Sequence, residues 1–496
     1  MRTSLCVFAA LLLAAVLALT GAAGAARAGA AEPDWTVEVR KGDESALRGI
    51  SLEIGLRCGD HLQWSSQVQM DGSAQTTVFS PTIRTLYDRG TPRSYAMLTA
   101  YDSFGASVSG GVLDVEEMEQ EGYFAAPIQA LYEQTLRDGT YAQQDEAEGT
   151  ADSNADASIT IGAPNPTAQA RVDLSEYYEF LPLNFDLFIP YVNLELSQET
   201  RSAIAEFFRI PLPEGSWADV AIEVTPQGDL VGAELSSVES RLGIQALSAV
   251  AEDACFLALT NPYATEPLDL SHVSGGNGVY VLPLQREEEN EKVTVTPDAD
   301  ALCNAYPLPA DALPQGLFLG SDGETLHLYT SEGDALYMTV LDRASLLAGR
   351  GEALQRVWVC DLAEDELLTD VQDFGSFLLV RRSTAFATVL ARGADGVYAP
   401  EMEADLVDLN NDLETGLSDG LAADYDGERL AVVALPQTFA ENGCDPVVAV
   451  YDQEGLLCLA RLHTSLADAV PAESNEAMEL VEHGLAIALQ GDVSGT

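Results

Sequence analysis

Gly316-Leu317-Phe318-Leu319-Gly320-Ser321-Asp322-Gly323-Glu324-Thr325-Leu326-His327-Leu328-Tyr329-Thr330-Ser331-Glu332-Gly333-Asp334-Ala335-Leu336-Tyr337-Met338-Thr339-Val340-Leu341-Asp342 is the stretch that decides the fold. Three short apolar runs alternate with two turns, Ser321-Asp322-Gly323 and Glu332-Gly333-Asp334. Asp-Gly between β-favouring runs is the strongest local signal for a hairpin, because glycine accepts the positive φ that tight turns require. Val357-Trp358-Val359-Cys360 supplies a fourth strand. The four runs together form an antiparallel meander.

The pattern recurs. Asp426-Gly427-Glu428-Arg429-Leu430 repeats Asp322-Gly323-Glu324-Thr325-Leu326 at an offset of 104 residues. Val447 to Asp452 mirrors Tyr337 to Asp342, each an apolar run closed by aspartate, and Leu456-Leu457-Cys458-Leu459 stands where Val357 to Cys360 stood. Between the copies lies a third unit: Phe377 to Val380, Thr384 to Leu390, and Gly396-Val397-Tyr398. Halving the offset gives a period of about 52, within the range of propeller blades and other β repeats. An earlier, degraded copy runs through Ala254 to Leu257, Val279 to Leu282 and Ala301 to Asn304. His483 to Leu489 reads as the first strand of a unit with no successor. Trp35 to Val39, Ile50 to Gly55 and Val68 to Phe79 are the strands that could complete it and so remove exposed edges.

The expected fold is therefore mainly β: an irregular β-propeller of four-stranded antiparallel meanders, with a few short helices and an acidic loop insertion. The expected organisation is a signal segment over 1–30, a β segment over 31–140 contributing to closure, an acidic disordered insertion over 141–170, and a propeller body over 171–496. Within the insertion, Gln143 to Asn165 carries five acids, no base and no aromatic residue, and cannot bury enough apolar surface to order itself. Helices are expected over Pro127–Asp138, with proline in the first turn and Gly139 after the end, and over Ser197–Phe208 ahead of Pro211 and Pro213.

The first thirty residues read as an export signal. Arg2 precedes an apolar core from Leu5 to Leu19, and Ala26-Arg27-Ala28 and Ala28-Gly29-Ala30 offer small residues at peptidase spacing. The alternative is an uncleaved anchor over Leu5 to Ala26. Seventy-nine acids against 24 bases give a formal net charge of −55, which excludes nucleic acid and anionic headgroups as partners and points to a neutral or cationic one. Only Lys41 and Lys292 are lysines. Six cysteines follow the signal: Cys58, Cys255, Cys303, Cys360, Cys444 and Cys458. None forms a C-x-x-C pair, so buried thiols are expected, with Cys444–Cys458 the best single bridge.

No residue is assigned a catalytic, cofactor or metal role. Asp408 to Asp419 spaces oxygens as calcium loops do, but Leu413 occupies the position where the bend needs glycine, so a solvated loop is expected. Ser274-Gly275-Gly276-Asn277-Gly278 lacks the lysine and the strand–helix frame of a phosphate cradle. Asp373-Phe374-Gly375 stands without the other kinase motifs, and Gly416-Leu417-Ser418-Asp419-Gly420 lacks the frame of a nucleophile elbow. The histidines, His61, His272, His327, His463 and His483, never fall at zinc spacing. Trp35, Trp64, Trp217 and Trp358 are expected to pack in the core or along strands.

The Asp-Gly-Glu-x-Leu turns and aspartate-closed strands resemble those of divergent β-propellers. Gly42 to Gly49, ahead of a strand pair and Asp71-Gly72, is similar to the opening of exported proteins of unassigned function from anaerobic Gram-positive bacteria. The resemblance spans about the first 80 and last 250 residues; it implies an envelope location and carries no functional residue. The leading reading is a non-enzymatic binding or scaffold module at the cell envelope. A propeller enzyme acting on carbohydrate and an N-terminally anchored sensor are its alternatives. N-terminal sequencing of exported protein should begin between Ala26 and Glu32. Recovery of an intact Met1 end from membranes would establish the anchor instead.

Overall fold

The computed structural model describes residues 35–58, 62–71, 75–80, 94–99, 108–109, 112–115, 118, 125–138, 166–190, 192–194, 196–239, 243–261, 267–289, 292–413, 421–435, 445–464 and 478–489. The chain divides into two compact units, Met1–Pro92 with Glu366–Thr496, and Arg93–Asp365. The division runs through the segment 171–496, expected as one body. The signal segment, Gln143 to Asn165, Cys444 and the Gly416 to Gly420 motif lie outside the described residues.

The discontinuous unit begins with β1 (Trp35–Gly42), β2 (Ile50–Cys58), β3 (Leu62–Gln69) and β4 (Gln75–Ser80). It resumes with β21 (Leu368–Asp373), β22 (Phe377–Arg382), β23 (Phe386–Arg392), β24 (Tyr398–Asp405), β25 (Leu421–Tyr425), β26 (Leu430–Ala434), β27 (Val447–Asp452), β28 (Gly455–Thr464) and β29 (Met478–Leu489). β21 to β24 form one four-stranded antiparallel meander and β25 to β28 a second, to which β1 adds as a fifth strand on β28. The third sheet has the order β29-β2-β3-β4, so the last strand of the chain is completed by strands from its beginning.

Burial explains why the middle meander reads as continuously apolar. All five residues of β26, Leu-Ala-Val-Val-Ala, are buried. Side chains alternate across a strand, so Leu430, Val432 and Ala434 enter a core shared with Phe377, Leu379 and Val389 of the β21–β24 sheet. Ala431 and Val433 enter a second core with Ile50, Leu52 and Val68. β27 divides in the same way, with Val447, Ala449 and Tyr451 on one side and Val448 and Val450 on the other. A sheet covered on both faces has no polar face to alternate with.

The other unit, in chain order, comprises β5 (Tyr95–Thr99), β6 (Val108–Ser109), α1 (Ala125–Asp138), β7 (Thr167–Asp173), β8 (Asn184–Phe188), β9 (Asn193–Leu194), α2 (Gln198–Phe207), β10 (Trp217–Val224) and β11 (Leu230–Glu239). β12 (Gln245–Val250), β13 (Ala254–Thr260), β14 (Gly278–Glu289), β15 (Lys292–Pro297) and β16 (Cys303–Pro307) follow. The last elements are β17 (Leu313–Leu319), β18 (Thr325–Glu332), β19 (Ala335–Asp342), α3 (Arg343–Leu347) and β20 (Ala353–Asp361). β17 to β20 are the meander read first from the sequence. β12, β13, β14 and β16 form the degraded copy, with β14 running on past the sheet to pair with β15 as an extended hairpin. β13 is buried along its whole length, with Ala254, Phe256 and Ala258 facing β17–β19 residues, and Cys255, Leu257 and Leu259 facing the core that contains α1 and β10. The chain is thus mainly β, built from four-stranded antiparallel meanders of propeller type with few helices.

Three expectations need correction. Within 31–140, only Trp35 to Ser80 joins the C-terminal strands; β5, β6 and α1 belong to the other unit, where α1 packs on β10 and β7. The insertion ends earlier than residue 170, because Thr167 to Ala170 pair with β10 and half-bury Ala168 and Ala170 on one face. The Asp408 region is a short helix, α4 (Val407–Asp412), and not a loop, because Leu409 and Leu413 are buried beneath it. Cys458 carries a free, buried thiol, in keeping with the expectation of buried thiols, and the candidate bridge to Cys444 is not formed. Cys255 and Cys360 are buried and free, Cys303 is half-buried and free, and the Cys58 side chain is outside the described residues.

The two Asp-Gly turns are equivalent. Asp322 Oδ1 accepts from the backbone N–H of Glu324 (2.9 Å) and Thr325 (3.0 Å), and Asp426 Oδ1 from Glu428 (3.0 Å) and Arg429 (2.7 Å). Gly427 has φ +97° and open space around the position of a Cβ, whereas Gly42, φ +84°, would place one 2.0 Å from the Leu457 carbonyl oxygen on β28. Gly427→Ala should therefore cost about 1–2 kcal/mol of left-handed strain. Gly42→Ala should cost clearly more, because β1 must also separate from β28. Denaturant midpoints of the two variants decide the order.

Candidate functional site

A cleft of about 690 Å³ opens in the Arg93–Asp365 unit. Its apolar walls come from four places: Ile189 and Val192 after β8, Val250 at the end of β12, Val293 and Val295 on β15, and Leu319 at the end of β17. The extended β14–β15 hairpin stands as one wall. Leu284 and Val295 anchor it by burial, while Gln285 to Glu288 are all exposed.

Three charged residues, Glu252, Arg286 and Arg343, line this cleft, and Asp253 beside it pairs with Arg343. Arg343, at the start of α3, donates through Nη2 to Asp253 in the β12–β13 turn, and through Nη1 to the Gly323 carbonyl (3.4 Å). It therefore ties the β17–β18 turn to the neighbouring sheet. Arg286 lies 3.9 Å from Glu252, an exposed and weaker pair. With Asp253 counted as the partner of Arg343, two arginines meet two acids in and beside the cleft, in a chain of formal charge −55. Its volume and composition, apolar walls with a few polar groups, suit a ligand of small-molecule or short-peptide size.

Three of the motifs weighed from the sequence lie among the described residues, and their polar groups are engaged within the fold. In Ser274 to Gly278, the Asn304 amide donates to the carbonyls of Gly275, Gly276 and Asn277, so the turn's acceptors are spent internally. Asp373-Phe374-Gly375 is a turn in which Asp373 Oδ1 accepts from the Gly375 N–H at 2.7 Å and Phe374 stacks on Phe377. On α4, Asp408 holds Lys41 at 2.5 Å and Asp412 holds Arg461. Among the described residues no group of three or more His, Cys, Asp or Glu is placed to hold a metal ion. No described helix is long and apolar enough to cross a membrane.

Three histidine side chains, His272, His327 and His463, are among the described residues. His327 is buried in β18 and His272 packs edge-on against Phe180. His463 on β28 lies between two carboxylates, with Nε2 2.6 Å from Glu38 on β1 and Nδ1 2.8 Å from Asp445. The Glu38 bond, opposed by partial burial and assisted by Asp445, raises the His463 pKa above its ordinary value. The same bond lowers that of Glu38. Sequence spacing could not reveal this triad, because its members are up to 425 residues apart.

The tryptophans divide. Trp35 is buried and Trp217 lies under the Arg171 guanidinium, 3.6 Å from the ring centroid. The Trp64 side chain is outside the described residues. Trp358, expected in the core or along a strand, lies on β20 opposite Tyr337 and is 44% exposed. A bulge between β19 and β20 beside it turns Val359 and Cys360 inward and leaves the indole outside.

No protein-family model and no curated protein matches the sequence. Solved structures that overlie it include a protein of Bacteroides fragilis provisionally named a 6-phosphogluconolactonase, with 8% identity, 89% of this chain and 98% of that one covered, and a TM-score of 0.29. The periplasmic gluconolactonase of Pseudomonas aeruginosa matches at 16% identity over 55% of this chain and 82% of its own, with a TM-score of 0.23. The β-propeller domain of Myceliophteria thermophila Cps50 (Swd1) matches at 9% identity over 49% and 82%, with a TM-score of 0.22. Overlap this slight transfers neither substrate nor chemistry.

The histidine triad sets a pH dependence. A raised histidine pKa contributes stability that is complete below the ordinary value near 6.5 and is lost as pH rises through the raised one. The lowered Glu38 acts at the other end and loses its contribution as pH falls through its own folded value. The stability difference between the natural chain and His463→Gln should therefore be greatest at mildly acid pH and shrink on the alkaline side. Urea unfolding across that range measures it, and a difference that grows with pH would contradict the assignment.

Proposed function

We propose that the chain is an exported binding or scaffold module of the cell envelope, of the kind found in anaerobic Gram-positive bacteria, which takes a neutral or weakly cationic ligand in the cleft beside Arg343. The observation that carries this reading is the cleft itself: apolar walls from four separate chain segments, with charges already paired at its rim. A binding site needs a shaped surface on a stiff support, and the sheets that bear these residues supply one. The surrounding acidity disfavours an anionic ligand, and it accelerates the approach of a cationic one in a manner that salt suppresses. Export and envelope location rest on the signal-like first thirty residues.

The test is calorimetric titration of the full chain with capped tripeptides of Val, Leu and Phe, uncharged or carrying one lysine. Saturable binding is expected, and Val293→Trp, which fills the cleft from the β15 wall, should weaken it at least tenfold. Failure of every peptide to bind, or equal binding by the variant, removes the cleft as the site. Cleavage of the peptides during titration, detected by mass spectrometry, would replace the binding module with an enzyme.

A further inference from the structure

The exposed face of β20 carries a second feature, separate from the cleft. Leu354, Arg356 and Trp358 alternate outward along this edge strand, with Leu354 56% and Trp358 44% exposed. Large apolar side chains on an edge strand are uncommon, because they invite association. Here they are ordered. Trp358 lies directly opposite Tyr337 on β19, and its indole N–H donates to Asp361 Oδ1 at 3.2 Å. Arg356 lies over the Tyr337 ring, 4.3 Å from the centroid, and its guanidinium is held by Glu332 at 2.5 Å.

The result is an aromatic surface with two carboxylates, Glu332 and Asp361, and one guanidinium, Arg356, at its margin, so that acid exceeds base by one. We propose that this face is a contact platform for a neutral polysaccharide. A sugar ring presents the matching chemistry: an apolar C–H face to lie on the indole, and hydroxyls at the rim to meet Asp361, Glu332 and Arg356. Arg356 is already paired with Glu332 and Asp361 accepts from the Trp358 indole, so an uncharged partner need not break an ion pair. An anionic polymer would meet the field of the surrounding acids. Size argues against a protein partner. From Leu354 to Trp358 the strand advances only about 13 Å, whereas a stable protein interface buries about 800 Å² on each side. A second copy of this chain would also bring a second formal charge of −55 against the first.

The test uses the full chain and four soluble probes: cellohexaose, xylohexaose, mannohexaose and laminarihexaose. At least one should bind with an affinity that hardly changes between low and high salt, since no ion pair forms. Trp358→Ala should weaken that binding tenfold or more, and Trp358→Phe, which keeps an aromatic face, should retain part of it. Arg356→Ala provides a second variant at an exposed position. Circular dichroism confirms that each is folded, and Val293→Trp in the cleft should leave hexaose binding unchanged. The proposal fails if none of the four hexaoses binds, or if folded Trp358→Ala binds as well as the natural chain. It fails equally if sedimentation shows that Trp358 instead mediates self-association.

Discussion

Two backbone ladders, β1 on β28 and β2 on β29, join strands from opposite ends of the chain. The unit they close is otherwise two separate pieces of sequence. An unpaired edge exposes a row of N–H and C=O groups, and pairing the last strand with the first strands satisfies that row from within. The side-chain contacts at this junction depend on the ladders being formed. Lys41 reaches Asp408, Glu38 reaches His463, and the Asp43 N–H reaches the Leu457 carbonyl. These groups meet only because the ladder fixes register across more than 360 residues. Such non-local pairing carries a loop-closure entropy that must be met before any contact is gained, and it is expected to form slowly.

Strands buried on both faces are the second organising element. β13, β22, β26 and β27 have almost no exposed side chain. In β22 this burial includes charge: Arg381 meets Asp370 at 2.5 Å, and Arg382 meets Glu366 and Glu403. Arginines so enclosed are tolerated only with partners, and removal of one partner strands the other in a region of low dielectric. The apolar run Phe377 to Val380 thus continues into a salt-bridge network without leaving the strand.

The cleft and the β20 platform are both built at the margins of this frame, where hairpins, helix starts and a bulge release side chains from the packed interior. The sheets fix position, and the departures from regular pairing present chemistry. At the cleft, β14 outruns its sheet and Arg343 begins a helix. At the platform, one extra residue opposite Leu336 and Tyr337 reverses the facing of the strand.

The sequence by itself determined the strands and turns of the repeated meanders and the helices read over Pro127–Asp138 and Ser197–Phe208. It did so because each depends on neighbours a few positions away: two-residue alternation, an aspartate that caps its own turn, and Ser197 capping a helix by accepting from the Thr200 N–H. It also showed the 104-residue repeat, and it marked His483 to Leu489 as a strand with no following partners. Tertiary structure decided what local pattern leaves open. The aspartates at 408 and 412 read as a loop until Leu409 and Leu413 found a core to bury in. Whether Trp358 faced the core or lay along the surface of its strand was decided by a bulge that turned it outward, and the arginines of β22 gave no sign of being buried. His463 with Glu38 and Asp445, Arg343 with Asp253, and the walls of the cleft join residues that no spacing rule connects. Burial and charge pairing are properties of what lies across the gap from a residue, and that neighbour is set by the register of distant strands.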